Sequence, residues 1–333
     1  MNDKPILICF GTRPEFLKIK PILDRLERKE YILLFTGQHT DLLSTVYVDY
    51  SIQIGESTNR LDSIVSSCLT QFPEVDVSGV LVQGDTASAF ACALAAFHRR
   101  IPIYYLEAGL RSNDLNHPYP EEGYRQLIAR LSSVNFAPTE LSKANLEKEN
   151  VIGKTFVIGN TSLDNLLTYP TGHYGNQILV TLHRRENHDS IKEWFQKIEE
   201  LAQSFTEYQF ILPIHPNPNV QLHRSILQKV KVVEPLSHHD TINIIRNCRF
   251  IISDSGGIQE EGAFFNKKVI VCRKTTERPE GIGTGHLILC ETPDKLESIF
   301  KSVDANPYID VPCPYGDGMS SKRVQEILHN ERV

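Results

Sequence analysis

Short apolar runs alternate with longer amphipathic stretches from one end of the chain to the other. That alternation is the signature of parallel strands, buried on both faces, linked by helices. In the first half it predicts strands over 5–10, 31–36, 79–83, 102–106, 134–137 and 155–158. Helices are predicted near 15–29, 60–71, 86–99, 121–132 and 140–149. In the second half the strands fall at 177–182, 208–213, 231–234, 249–253 and 268–272, with helices near 190–205, 217–229, 240–247, 256–266 and 293–304. A last helix is predicted at about 319–331. The halves echo one another: an apolar strand running into Gly11-Thr12-Arg13-Pro14-Glu15 has its counterpart in one running into His183-Arg184-Arg185-Glu186. Gln83-Gly84-Asp85 opening a helix is matched by Asp254-Ser255-Gly256-Gly257 opening another. The fold class expected is α/β, with two Rossmann-like domains and the active site in the cleft between them, since ligands of open α/β sheets bind beyond the carboxyl ends of the strands. The first domain is placed at 1–165 and the second at 166–318, with the helix of 319–333 packing back on the first. A linker is expected around 160–176, where Tyr169-Pro170-Thr171-Gly172-His173-Tyr174-Gly175 suits neither helix nor strand.

Composition narrows the function. At 333 residues the chain is long for one α/β domain, and 41% hydrophobic residues are enough for a sizeable core. A net charge of −6 gives no basic excess to neutralise a nucleic-acid backbone, although one nucleotide needs only a few local cations. The seven cysteines are scattered without a C-x-x-C pair, which reads as reduced thiols rather than a disulfide framework or a zinc site. No apolar run is long enough to span a bilayer, and the N-terminus leads straight into a strand without a signal-peptide core. The expectation is a cytoplasmic protein with no metal, no nucleic-acid partner and no membrane contact.

Candidate chemistry sits where strands end. Arg13 and Lys18 place cations in the first turns of a helix, an arrangement that suits a phosphate and equally an ordinary surface turn. Asp85 begins a helix and could be a plain N-cap. Glu107 closes a buried strand, where a charge needs a partner or a task. Glu121 and Glu122 open a helix whose dipole alone would favour them. His183 and His215 each follow a strand, and a structural role is favoured for His215. Ser255, Gly256 and Gly257 form a backbone N–H cradle suited to a diphosphate, and Glu261 lies two turns on, placed to accept ribose hydroxyls. Arg278 adds a cation in a loop. No G-x-G-x-x-G is present to hold a nicotinamide.

Taken in order, the stretches GTRPEFLKIKP (11–21), GQH (37–39), VQGDT (82–86), EAGLRS (107–112), PEE with Arg125, HRREN (183–187), HPNPNV (215–220), SDSGGIQEE (253–261), TTERPE (275–280) and PYGDG (314–318) resemble the non-hydrolysing UDP-N-acetylglucosamine 2-epimerase family over nearly the whole chain. The resemblance implies a GT-B-like pair of domains and a cofactor-free, homodimeric enzyme acting on a UDP-sugar. It implies anti elimination of UDP to a 2-acetamidoglucal, followed by protonation at C2 and re-addition of UDP. Asp85, Glu107 and Glu121 would be the acid and base carboxylates, in an order left open, with His183 near the leaving diphosphate. Arg13, Lys18, His183, Ser255, Gly256, Gly257, Glu261 and Arg278 would contact the UDP-sugar. Gln38, Glu122, Arg184 and His215 would belong to a second, activating substrate site. The chain departs from the family pattern at Tyr124, usually asparagine, and at Thr241, where an aromatic residue near uracil is common; the stretch Thr40-Asp41-Leu42-Leu43 lacks the usual methionine. A hydrolysing epimerase, an epimerase of UDP-diacetamido-uronic acids and a GT-B glycosyltransferase remain alternatives.

Overall fold

A computed structural model describes residues 4–39 and 46–331, so the stretch Thr40–Leu43 lies outside the described residues. The chain divides into two compact units, Met1–Leu166 with Gly316–Val333, and Leu167–Tyr315. Each is built on one wholly parallel sheet flanked by helices.

In the first unit the strands are β1 (Ile6–Phe10), β2 (Tyr31–Phe35), β3 (Tyr50–Ser51), β4 (Gly79–Gln83), β5 (Ile103–Leu106), β6 (Val134–Ala137) and β7 (Lys154–Val157). Their spatial order is β3-β2-β1-β4-β5-β6-β7. The helices are α1 (Arg13–Leu23), α2 (Arg60–Thr70), α3 (Ala87–His98), α4 (Glu121–Leu131) and α5 (Glu140–Lys148). Strand β1 is buried throughout and feeds both faces of the sheet: Leu7 and Cys9 join one core, Ile6, Ile8 and Phe10 the other. That two-sided burial is why its sequence reads as an unbroken apolar run. Helix α3 is rich in alanine, which lets it pack closely between α2 and α4.

The second unit has β8 (Gln177–Thr181), β9 (Gln209–Pro213), β10 (Lys231–Val233), β11 (Phe250–Ser253), β12 (Val269–Val271) and β13 (Leu287–Leu289), in the order β10-β9-β8-β11-β12-β13. Around them lie α6 (Ile191–Ser204), α7 (Pro218–Gln221), α8 (His238–Asn247), α9 (Gly256–Phe264), α10 (Glu280–Gly283) and α11 (Leu296–Ala305). The chain then returns to the first unit with α12 (Ser320–Glu331). Counted locally, the second sheet runs 3-2-1-4-5-6 and the first the same with a seventh strand added, and the order reverses between β1 and β4 and again between β8 and β11. Those reversals are the switch points where an open α/β sheet leaves a crevice for ligands.

Three expectations are corrected. The helix predicted over 217–229 is only the single turn of α7 and a 3₁₀ turn at Arg224–Ile226. At the far end of that stretch Glu199 on α6 accepts from the backbone N–H groups of Gln228, Lys229 and Val230, so these donors serve a tertiary contact and not a helix. The predicted linker of 160–176 contains the boundary between the units, at Leu166/Leu167, and Tyr169–Gly175 is neither helix nor strand, but its first part, Thr161–Thr168, is 3₁₀ helix with Leu163 and Leu166 buried. Beyond it, Gly175 N–H donates to the Asn247 carbonyl, Tyr174 Oη to that of Asn266, and Lys267 Nζ to that of His173. Finally, strands β3 and β13 were absent from the sequence pattern, being two and three residues long. No helix among the described residues is long and apolar enough to cross a membrane.

Candidate functional site

In the first unit the turn from β1 into α1 is shaped by what it lacks. A Cβ on Gly11 would lie 2.2 Å from Thr36 Oγ1 and 2.4 Å from Ser88 Oγ, so only glycine fits there. Thr12 caps α1, and Glu15 closes a capping box by accepting from the N–H groups of Gly11 (2.9 Å) and Thr12 (2.7 Å). Thr86, the cap of α3, donates to the other Glu15 oxygen at 2.7 Å. Burial pushes the Glu15 carboxyl up despite these donors. Glu15 therefore ties the ends of β1 and β4 together, leaving exposed Arg13 at the mouth of α1.

Next to this turn the acidic residues gather. Asp85 follows β4, Glu107 follows β5 and Glu121 opens α4. Lys18 Nζ is 2.6 Å from both Glu107 oxygens, so the lysine expected to meet the substrate is bound to a carboxylate here. Gln83, the last residue of β4, donates its side-chain amide to Glu107 Oε2. Glu107 adopts φ +69, a left-handed conformation that a glutamate rarely takes. Lys18, Gln83, Glu107, Gly159 and Asn160 line one small hollow. Asp85 is held by Arg125, with Nη2 at 2.6 Å and Nε at 2.8 Å. Glu121 Oε2 is buried and has no hydrogen-bond partner among the described residues, and the same holds for the phenol oxygen of Tyr105. Burial, with Asp85 nearby, pushes the Tyr105 phenol up.

Glu122 is fully buried and accepts from Ser112 N–H (3.0 Å), Asn113 N–H (3.3 Å) and the Gln126 amide (3.0 Å). Burial raises its carboxyl, but the Ser112 N–H, Gln126 and Arg125 outweigh that and hold it below the usual range. Gln38 accepts from Ser88 Oγ at 2.7 Å, anchoring it on the first turn of α3. Tyr124 stacks on Phe90 with ring centroids 5.0 Å apart, so the departure from the family pattern is absorbed between α3 and α4.

In the second unit the organising group is Asp254, fully buried after β11. Its carboxylate accepts from the N–H groups of His183 and Arg184 (2.9 Å each) and from the Asn187 amide (3.0 Å), fixing the turn after β8. The His183 ring has Nδ1 3.6 Å from Asp254 and stacks on His215 at 5.2 Å. Burial lowers the proton affinity of His183, with Asp254 opposing and His215 and Arg184 reinforcing the drop, so the ring is neutral at neutral pH. His183, Arg184, Arg185 and Glu186 line an open hollow.

Ser255 is the N-cap of α9, its side chain making no capping bond. Gly257 faces open space, whereas a Cβ on Gly256 would meet Arg278 Nη1 at 2.6 Å. Arg278 is fixed by Glu260 (Nε to Oε1, 2.7 Å) and by Glu277 (2.9 Å). Glu277 also takes Arg273 at 2.8 Å. Burial would raise the Glu277 carboxyl, but Arg278 and Arg273 bring it down to about 2. Glu261 pairs with His238 Nε2 at 2.9 Å, and Thr241 bonds back to the Ser237 carbonyl. The second unit thus offers a helix N-terminus, unsubstituted at Gly257 and flanked by Arg278, which suits an anionic ligand. The first offers carboxylates at three strand and helix ends, which suits proton transfer. Three of the groups that hold them, Gln83, Arg125 and Asp254, were not among the sequence-derived site residues; each acts on a residue far away in sequence.

Comparison with known proteins adds an independent line. The sequence profile of the UDP-N-acetylglucosamine 2-epimerase family matches residues 23–329. The chain is 36% identical to the UDP-N-acetylglucosamine 2-epimerase of Neisseria meningitidis serogroup A over 370 aligned positions, covering 98% of this chain and all of that one. Among solved structures, the Neisseria meningitidis UDP-GlcNAc 2-epimerase bound to UDP-GlcNAc superposes with a TM-score of 0.85 at 34% identity, covering 98% of this chain and 100% of that one. The Methanocaldococcus jannaschii UDP-GlcNAc 2-epimerase in complex with UDP-GlcNAc and UDP gives 0.79 at 31% identity, covering 98% and 99%. The fold class is accordingly α/β, two Rossmann-like sheets of GT-B-like type.

Proposed function

The chain belongs to the UDP-N-acetylglucosamine 2-epimerase family, and from that premise we propose that it interconverts UDP-N-acetylglucosamine and UDP-N-acetylmannosamine without net hydrolysis. In the first step a carboxylate takes the proton from C2 and the C2–H electron pair forms the C1–C2 double bond. The C1–oxygen bond breaks, and UDP leaves as the anion. In the second, a carboxylic acid on the opposite face protonates C2, and the UDP oxygen re-forms its bond to C1. Electrons and atoms balance with no external oxidant or reductant.

The nucleotide end of the substrate is assigned to the second unit: Ser255, Gly256, Gly257 and Arg278 for the diphosphate, Glu261 for the ribose, and neutral His183 as hydrogen-bond donor to the leaving oxygen. The sugar end, with C2, is assigned to Asp85, Glu107 and Glu121 of the first. One observation carries this reading. Of these carboxylates, Asp85 and Glu107 are matched by cations, Arg125 and Lys18, while Glu121 keeps a buried oxygen without a donor. Three differently held carboxylates at strand and helix ends can supply the two proton-transferring groups that inversion at C2 requires.

The test is incubation with UDP-N-acetylglucosamine in deuterated water. The expected product is UDP-N-acetylmannosamine with deuterium at C2. Free N-acetylmannosamine with stoichiometric UDP would replace the proposal with a hydrolysing reaction, and an unlabelled product would remove the elimination step. Asp85→Asn and Glu121→Gln are each expected to fold, to bind UDP, and to lose turnover by roughly 10²-fold or more. Full turnover in both would overturn their roles.

A further inference from the structure

The Gln83 side chain has no part in the scheme above, yet it is buried, 3% exposed, at the end of a central strand. In the register of β4 against β5 it faces Leu106, the residue before Glu107. Its amide Nε2 donates to Glu107 Oε2, while Lys18 reaches both oxygens of the same carboxylate. We propose that Gln83 is a positioning residue for Glu107, fixing the plane of its carboxylate and holding its proton affinity down. The inference rests on the epimerase reading for its kinetic consequence, but not for its structural one.

The physical case turns on what each partner can do. Lys18 carries its ammonium on a long, flexible stem that is 22% exposed, and an ammonium centred between two oxygens constrains distance better than orientation. The Gln83 amide is planar, rooted in a strand and shut away from water. It donates to one named oxygen, Oε2, in a fixed direction. Glu107 itself sits in a left-handed backbone conformation, which is strained and persists only where surroundings enforce it. A neutral amide donor is also independent of pH. It stabilises the ionised carboxylate without supplying a proton that could compete with the one taken from or given to C2.

Two variants separate positioning from mere packing. Gln83→Leu keeps the volume and removes the donor, so the Glu107 carboxyl should rise by about one pH unit. Gln83→Glu keeps the shape but sets a second carboxyl against the first, and should raise it further, by about two units or more. The shift is read in two ways. In the unliganded protein, the Glu107 carboxyl carbon is titrated by NMR, identified by its loss in Glu107→Gln. In turnover, the pH profile of kcat is measured in both directions, because a group that is base in one direction is acid in the other. Its apparent pKa should therefore move upward on the acid limb of one profile and on the alkaline limb of the reverse. Away from the limbs, kcat should fall about tenfold in Gln83→Leu while KM and UDP affinity stay within about twofold. A packing role would lower the melting temperature and leave the Glu107 titration where it was. Folded variants in which neither the carboxyl titration nor the limbs move would overturn the proposal. Should the wild-type protein not epimerise at all, the NMR arm still decides the Gln83 question, so the two failures are distinct.

Discussion

A titratable ring shut away from water is tolerated only while it is neutral, and His286 in the second unit is such a ring. It is fully buried, its Nδ1 shares a hydrogen bond with Thr284 Oγ1 at 2.8 Å, and its Nε2 has no partner among the described residues. Burial pushes it down to about 4 from an ordinary 6.5. Between those values the unfolded chain takes up the proton and the folded one does not. Stability therefore falls as pH drops through that window, by up to about 3 kcal/mol. Denaturant unfolding of wild type and His286→Leu at pH 7 and pH 4.5 isolates the effect, since other groups cancel in the difference. The advantage of wild type should shrink at the lower pH, and a constant difference would refute the assignment. His286 carries no mark of this in the sequence, since it precedes a short strand and does not follow a buried one. What the sequence does reveal at this scale is chemistry at strand ends: Asp85, Glu107 and His183 stand out because a polar group after a buried strand needs a reason. Their partners are hidden for the same physical reason that makes them effective. Arg125 reaches Asp85 across 40 residues and Lys18 reaches Glu107 across 89, and no local pattern announces a tertiary ion pair.

At the scale of elements, the N-terminus of α9 shows how one missing methyl group can serve a neighbour. Arg278 lies against Gly256 and is clamped from both sides by Glu260 and Glu277. In Gly256→Ala the new Cβ would stand 2.6 Å from Nη1, so the guanidinium has to leave its clamp. The expected result is about a tenfold loss of UDP affinity by calorimetry, with the melting temperature changed by only a few degrees, as the backbone there is already helical. Unaltered UDP binding would dissociate Arg278 from the nucleotide. The glycines and the serine before them were legible as an anion cradle, but the packing of Arg278 against Gly256 was not. The same divide holds for the strands. Those of β1, β4, β8 and β11 were plain because burial on both faces demands continuous apolar runs. Strand β13, the short apolar run Leu287–Leu289, was passed over, and the helix over 217–229 was overcalled, the end of that stretch being bound by Glu199 on α6, a contact no local pattern shows.

At the scale of the whole molecule, the first unit is discontinuous in sequence, completed by residues that follow the entire second unit. Helix α12 supplies Val324 and Leu328, both fully buried, to the core that contains Ile19 and Ile22 of α1. Its N-terminus is capped from far away: Asp164 accepts from the N–H groups of Ser320 (3.1 Å) and Ser321 (2.7 Å). Arg25 Nε donates to Ser321 Oγ at 2.6 Å, and Arg323 to the Ile158 carbonyl at 3.2 Å. A cap of this kind is worth about 1–2 kcal/mol, and each buried aliphatic side chain about 1.5–3 kcal/mol, so α12 contributes on the order of the whole stability of a domain. Two consequences can be checked together. A chain ending at Tyr315 should leave the first unit unfolded or molten while the second, whose sheet and core are contained in 167–315, still melts cooperatively. Adding a peptide of residues 316–333 in trans should restore the missing transition for wild type, and restore it more weakly for Asp164→Ala. If the truncated chain instead shows both transitions at wild-type temperatures, α12 is an ornament on the first unit and not part of its core. The second unit needs no such return, because β8 and β11 already sit at the centre of a sheet whose neighbours all come from one continuous stretch.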